Sequence, residues 1–187
     1  MKIIDFTKLT TLNAIAVNYG IKKELLQKVI DTTDYATIYE TLKIPKINKF
    51  KGYRTVYKAD WFLADFHKNI LTSIDNFLLQ VNIDDYIHTS AHGFLKGKTT
   101  LSNAKVHLNK KELLQVDIKS FFKSIQISSV VEVFEKLGFT SDMAKLMTQL
   151  CSINNAIEEG LNTSPMLANL YFYEIDEKLY ELAIKYK

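Results

Sequence analysis

The chain has 187 residues, 47% of them hydrophobic, and a formal net charge of +3, which suits a soluble domain, or a domain and a half, with a sizeable core. Its one cysteine, Cys151, excludes an internal disulfide framework, and the N-terminus reaches Asp5 and polar residues before a signal-peptide core can form. No apolar run approaches the roughly 20 residues that span a bilayer, so membrane functions are excluded and a reducing, cytoplasmic setting is expected.

In chain order, residues 5–17 and 22–32 read as two short helices separated by Gly20, the second with Leu25, Leu26, Val29 and Ile30 on one face. Residues 39–45 and 53–57 read as two strands joined by a basic, glycine-containing turn, a β-hairpin with a charged tip. From 60 to 81, Leu63, Phe66, Ile70, Ile74, Phe77, Leu78 and Val81 recur at three- and four-residue spacing behind Asp60 as cap, the pattern of an amphipathic helix. A basic loop with two glycines, 92–100, leads into a helical stretch at 101–107. Gly93 and Gly97 would let backbone N–H groups and lysines approach a phosphate, but the spacing is not that of a Walker loop. His88, His92 and His107 have no cysteine or carboxylate at metal-ligand spacing and read as loop or packing residues.

Charge is unevenly distributed. Between Pro45 and Ala59 there are five bases (Lys46, Lys49, Lys51, Arg54, Lys58) and no acid; between Tyr86 and Lys111 there are five more (Lys96, Lys98, Lys105, Lys110, Lys111), again with no acid. The remaining 14 bases face all 21 acids. Two basic segments on an acidic body suggest a phosphate-binding surface, while charge alone favours two solvated lysine-rich loops.

Residues 113–118 read as a buried strand that delivers Asp117 at its end. Such a carboxylate either caps a turn or binds a divalent ion such as magnesium, which takes one or two protein carboxylates together with phosphate oxygens. Phe121 and Phe122 follow in a turn, where at least one should pack on the core or on a ligand such as a sugar ring. Two packing helices are expected at 129–137, closed by Gly138, and at 142–152, opened by Thr140 or Ser141. A long helix starts with Ser164 as cap and Pro165 at its first position, and carries Leu167, Leu170, Tyr171, Ile175, Leu179, Leu182 and Tyr186 on one side. Its N-terminus, fed by Gly160, could present free N–H groups near Asp117, or the helix could simply be a capped core element.

Over residues 44–179 the order of motifs resembles a bacterial reverse transcriptase of the retron or defence-associated kind. The motifs are Tyr53-Arg54 in a basic hairpin, His92-Gly93-Phe94 followed by Gly97-Lys98-Thr99, Asn103-Ala104 with His107, Asp117-Ile118-Lys119-Ser120-Phe121-Phe122, and Gly160 leading to Thr163-Ser164-Pro165, Asn169 and Asp176. The resemblance implies an α+β fold: right-hand polymerase fingers and a partial palm, helix-rich, with a β-hairpin and a short antiparallel sheet. Its domains would be a helical extension at 1–43, fingers at 44–112 and the first part of the palm at 113–187. By the same resemblance Asp117 is the first metal-binding aspartate, with the Ile118 backbone beside it, and Phe122 is the aromatic gate that excludes a ribose 2′-hydroxyl. Arg54, Lys58 and Lys98 are candidates for the incoming triphosphate. Glu159 and Gly160 would line the nucleotide pocket, and Lys46, Lys49, Lys51 and Lys96 would hold nucleic acid. The implied chemistry is two-metal magnesium-dependent transfer from a dNTP to a primer 3′-hydroxyl. The resemblance further implies a structured non-coding RNA as template, a DNA or RNA primer and a role against phage.

Two departures stand out. Ile157-Glu158-Glu159-Gly160 replaces the family's Leu-Pro-Gln-Gly, and no Tyr/Phe-x-Asp-Asp sequence occurs, so this chain alone is expected to be inactive. Three readings stay open: part of a longer polymerase, a non-catalytic RNA-binding scaffold, or one half of a split polymerase completed by another protein. An associated effector protein is a further possible partner.

Overall fold

The computed structural model describes residues 5–46 and 52–186. Among them are eight α-helices and one two-stranded antiparallel sheet, an α+β fold. The helices are α1 (Leu12–Tyr19), α2 (Lys23–Asp31), α3 (Trp61–Leu78), α4 (Thr100–Val106), α5 (Phe121–Ser124), α6 (Ile127–Lys136), α7 (Ser141–Leu150) and α8 (Ser164–Lys185); the strands are β1 (Tyr39–Pro45) and β2 (Tyr53–Ala59). None of the described helices is long and apolar enough to cross a membrane.

Local chemistry accounts for most boundaries. The first expected helix is divided: Asp5 caps a 3-10 turn at Phe6–Lys8, and Thr11, in extended backbone, accepts from the Ala14 N–H to start α1 anew. Gly20, at φ +65°, ends α1 in the left-handed conformation that glycine adopts without strain. The Asp60 side chain accepts from the Trp61 N–H at 2.7 Å at the start of α3, and Thr99 and Ser102 form a reciprocal capping box on α4.

One continuous core joins the helices. Phe62, Leu63, Phe66, Ile70, Ile74 and Leu78 of α3 meet Val130 and Phe134 of α6, Met147 and Leu150 of α7, and Leu167 and Leu170 of α8. Burying these side chains stabilises the fold by about 1.5–3 kcal/mol each relative to leaving them in water. The apolar side expected along all of α8 is buried only in its first half: Leu179, Leu182 and Tyr186 are exposed, as are Tyr180 and Ile184.

His67 is fully buried on α3, and its Nε2 lies 2.8 Å from the Leu150 carbonyl. A carbonyl only accepts, so Nε2 carries the proton and satisfies an oxygen that the last turn of α7 leaves open. Burial pushes the imidazole pKa down to about 4 from 6.5, against a smaller upward effect of that hydrogen bond. Between these values the unfolded chain binds a proton that the folded chain refuses. Stability is therefore complete above pH 6.5 and is lost as pH falls towards 4, by about 3 kcal/mol. Urea unfolding across this range should show the loss, and His67→Gln should flatten it.

The β-hairpin is in register from Tyr39 opposite Ala59 to Pro45 opposite Tyr53. Its base is anchored by buried Ile38 and Tyr39 and by the Asp60 N–H donating to the Ile38 carbonyl at 2.8 Å. The expected charged tip, with Lys49 and Lys51, lies outside the described residues.

The expected strand at 113–118 is not formed. Residues 112–118 are irregular and exposed; Leu114 is 86% and Val116 74% accessible. A strand persists when its N–H and C=O groups find a ladder partner, and the only sheet among the described residues is the β1–β2 hairpin.

Candidate active site

Four segments enclose an open cavity of about 230 Å³: the residue after β1 (Lys46), the start of β2 (Tyr53, Arg54, Thr55), the entry to and body of α5 (Ser120, Phe122, Lys123), and the loop before α8 (Glu158, Glu159). Lys46, Arg54, Phe122 and Glu159, separated by up to 113 positions in sequence, thus share one wall-lined space.

Each wall has a physical cause. Ser120 adopts φ +53°, ψ +45°, turning the chain sharply into the four-residue α5. Phe121 then packs on Phe172 of α8, ring centroids 4.9 Å apart, while the half-buried Phe122 lies 5.2 Å from Phe121 and lines the cavity. The 157–160 segment is seated on the hairpin: the Tyr57 N–H donates to the Glu159 carbonyl at 2.8 Å. Gly160, at φ +100°, approaches so closely that a Cβ there would lie 2.2 Å from the Tyr57 carbonyl oxygen. Its role in the structure is to let the loop touch β2.

The cavity mixes charges. Lys46 and Arg54 form no ion pair among the described residues, whereas Lys123 Nζ lies 3.2 Å from Glu158 Oε1. Glu158 is 3% exposed, and its Oε2 has no hydrogen-bond partner. Cations beside a half-buried aromatic ring suit a phosphate attached to a ring-bearing ligand.

Other candidates lie elsewhere. Lys58 faces Glu40 across the hairpin, their ion pair spanning 3.0 Å. Lys98 Nζ donates to the Thr89 carbonyl at 3.2 Å, and Lys96 lines a larger groove with Asp75, Phe94, Leu79 and Pro165. Asp117 and Ile118 sit in the exposed 112–118 segment and are not on the cavity wall. No cluster of three potential metal ligands occurs among the described residues, so they do not by themselves complete a metal site. At the N-terminus of α8 the two hydroxyl side chains are buried, although Pro165 lines the larger groove. Thr163, at the cap position, and Ser164, already helical, are 0% and 1% exposed, and neither hydroxyl has a partner.

Tyr53 and Ser120 belong to motifs in the sequence without a site role, Thr55 and Lys123 have none, and Glu158 stands out with Glu159 as carboxylates beside the pocket; all are on the wall. The signal for Glu158 was present in the departure from Leu-Pro-Gln-Gly. The signal for Lys123 was only its place beside Phe122.

No protein-family model matches the chain. It is similar to the retron Se72 reverse transcriptase of Salmonella heidelberg, 28% identical over 93% of this chain and 44% of that protein. The retron Ec86 reverse transcriptase of Escherichia coli is 29% identical over 85% of this chain and 47% of its own length. The retron Mx162 reverse transcriptase of Myxococcus xanthus is 26% identical over 95% of this chain and 39% of its own length. The chain therefore spans less than half the length of these curated relatives. These relatives are retron reverse transcriptases, the family that the order of motifs resembles.

Proposed function

We propose that this chain, similar along most of its length to retron-type reverse transcriptases, forms the fingers (44–112) and first part of the palm (113–187) of an RNA-directed DNA polymerase. The observation that carries the reading is the cavity in which Lys46, Arg54, Phe122 and Glu159 converge.

In this reading Arg54 and Lys46 draw the triphosphate of a deoxynucleotide into the cavity, and Phe122 stacks under the sugar where a 2′-hydroxyl would collide. Glu158 and Glu159 limit how far negative charge can enter. The primer 3′-oxygen bonds to the α-phosphorus, the bond to the β-phosphate oxygen breaks, and pyrophosphate leaves. Asp117, with the Ile118 carbonyl, is this chain's contribution to a magnesium site whose ion would stabilise the developing charge. A structured non-coding RNA would be the template, and the biological role would be anti-phage defence in the cytoplasm.

The test is RNA-templated primer extension with magnesium, comparing the 187-residue chain with the full product of its reading frame. Extension by the full product is expected. Inactivity of both, with tight RNA binding retained, would favour an RNA-binding scaffold or a split polymerase.

A further inference from the structure

Glu158 carries a charge at a position that is only 3% exposed. Burial of a carboxylate is tolerated when a cation compensates it, and stripping away the cation leaves a costly isolated charge. Here the compensation comes from Lys123 alone, 3.2 Å from Oε1; Oε2 is buried and unpartnered among the described residues.

Lys123 is the direct neighbour of Phe122 on α5, a helix of four residues with no side-chain cap. So short a helix has little stability of its own and takes its orientation from tertiary contacts. Phe121 holds one side through Phe172. Phe122 itself packs against the core, and on the cavity side the Lys123–Glu158 pair links α5 to the opposite wall. Glu158 is in turn fixed to the hairpin, because the next two residues are seated on β2 through the Glu159 carbonyl and the close approach of Gly160.

We infer that the Lys123–Glu158 ion pair is a positioning latch for Phe122. It ties α5 to the hairpin-docked 157–160 segment and so sets how much room a nucleotide sugar finds beside the aromatic ring. The inference rests on the polymerase reading and adds to it a determinant of sugar selectivity. Lys123 and Glu158 act through Phe122 and not on the reacting atoms.

The experiment measures the ratio of kcat/KM for ribonucleotide and deoxyribonucleotide incorporation by the full product of the reading frame. Glu158→Gln keeps the side-chain shape without the charge, so folding should survive it; Lys123→Met leaves the buried Glu158 carboxylate without its cation, so its melting temperature is measured alongside, and the double variant removes that cost. Each should raise the ratio on the order of fivefold, and the double variant should go no further, because both remove the same contact. Lys123→Arg should keep the ratio near that of the unaltered protein. Phe122→Ala, run in parallel, reports on the gate itself. If Phe122→Ala relaxes selectivity while the ion-pair variants do not, or if their effects multiply, the latch is overturned and the polymerase reading stands. If the unaltered full product extends no primer, both fall together.

Discussion

Asp117→Ala in the full product of the reading frame should lower primer extension on the order of 10³-fold or more while leaving RNA binding nearly unchanged. The two effects separate because they arise from different parts of the molecule. In the proposed polymerase, RNA affinity would come from many lysine contacts to phosphates, each screened by salt and individually small. The proposed chemical step, in contrast, would depend on a carboxylate that could hold a divalent ion, a role that alanine cannot fill. Within the described residues Asp117 stands in an exposed, irregular segment without neighbouring acids to complete a metal site. The other ligands must therefore come from elsewhere in the polymerase for this effect to appear. Single-turnover incorporation and fluorescence anisotropy with the same RNA would read the two quantities. Synthesis retained by the alanine variant would remove Asp117 from the metal site.

Gly160→Ala should destabilise the fold by about 3 kcal/mol or more, enough to lower the melting temperature by roughly 6–12 °C. Two costs add. The residue sits at φ +100°, where a side chain is strained, and the new Cβ would meet the Tyr57 carbonyl oxygen at 2.2 Å and the Tyr57 nitrogen at 2.9 Å. Both are backbone atoms in the middle of β2, so no rotamer change relieves the contact, and the loop must leave the hairpin. Gly20→Ala is the control: φ is also positive, at +65°, but nothing lies within 4 Å of its Cβ position. It should therefore cost only the backbone term, about 1 kcal/mol. Equal melting temperatures for the two variants would mean that the loop does not rest on β2. A larger fall for Gly160→Ala, together with loss of the cavity's hairpin wall, is the expected result.

The local half of this structure was legible in the chain. The apolar spacing of α3, the glycine that ends α1, the paired strands on either side of the basic turn, and Pro165 in the first turn of α8 all depend on neighbours within a few positions, so the residues themselves carry the signal. The motif order gave the four residues Lys46, Arg54, Phe122 and Glu159 as candidates, and their meeting in one cavity needed the hairpin, α5 and the 157–160 loop to be folded together.

What the chain could not disclose is where packing and pairing override local preference. Leu113, Leu114, Val116 and Ile118 have the composition of a buried strand, yet a strand's stability comes from a partner whose position no local pattern encodes, and these residues are exposed. Lys58 has the same charge as Arg54, but the strand register puts Lys58 opposite Glu40, outside the cavity. Gly160 reads as a turn in sequence and acts as a contact surface for β2. The Lys123–Glu158 pair joins residues that sequence separates by 35 positions. Sequence by itself determined the longer helices, the hairpin and the types of side chain available for chemistry, because those follow from short-range periodicity and turn geometry, whereas α5 was expected as a turn. Only the tertiary structure decided which of those side chains face one another, because that is set by long-range burial and by the backbone groups left to be satisfied.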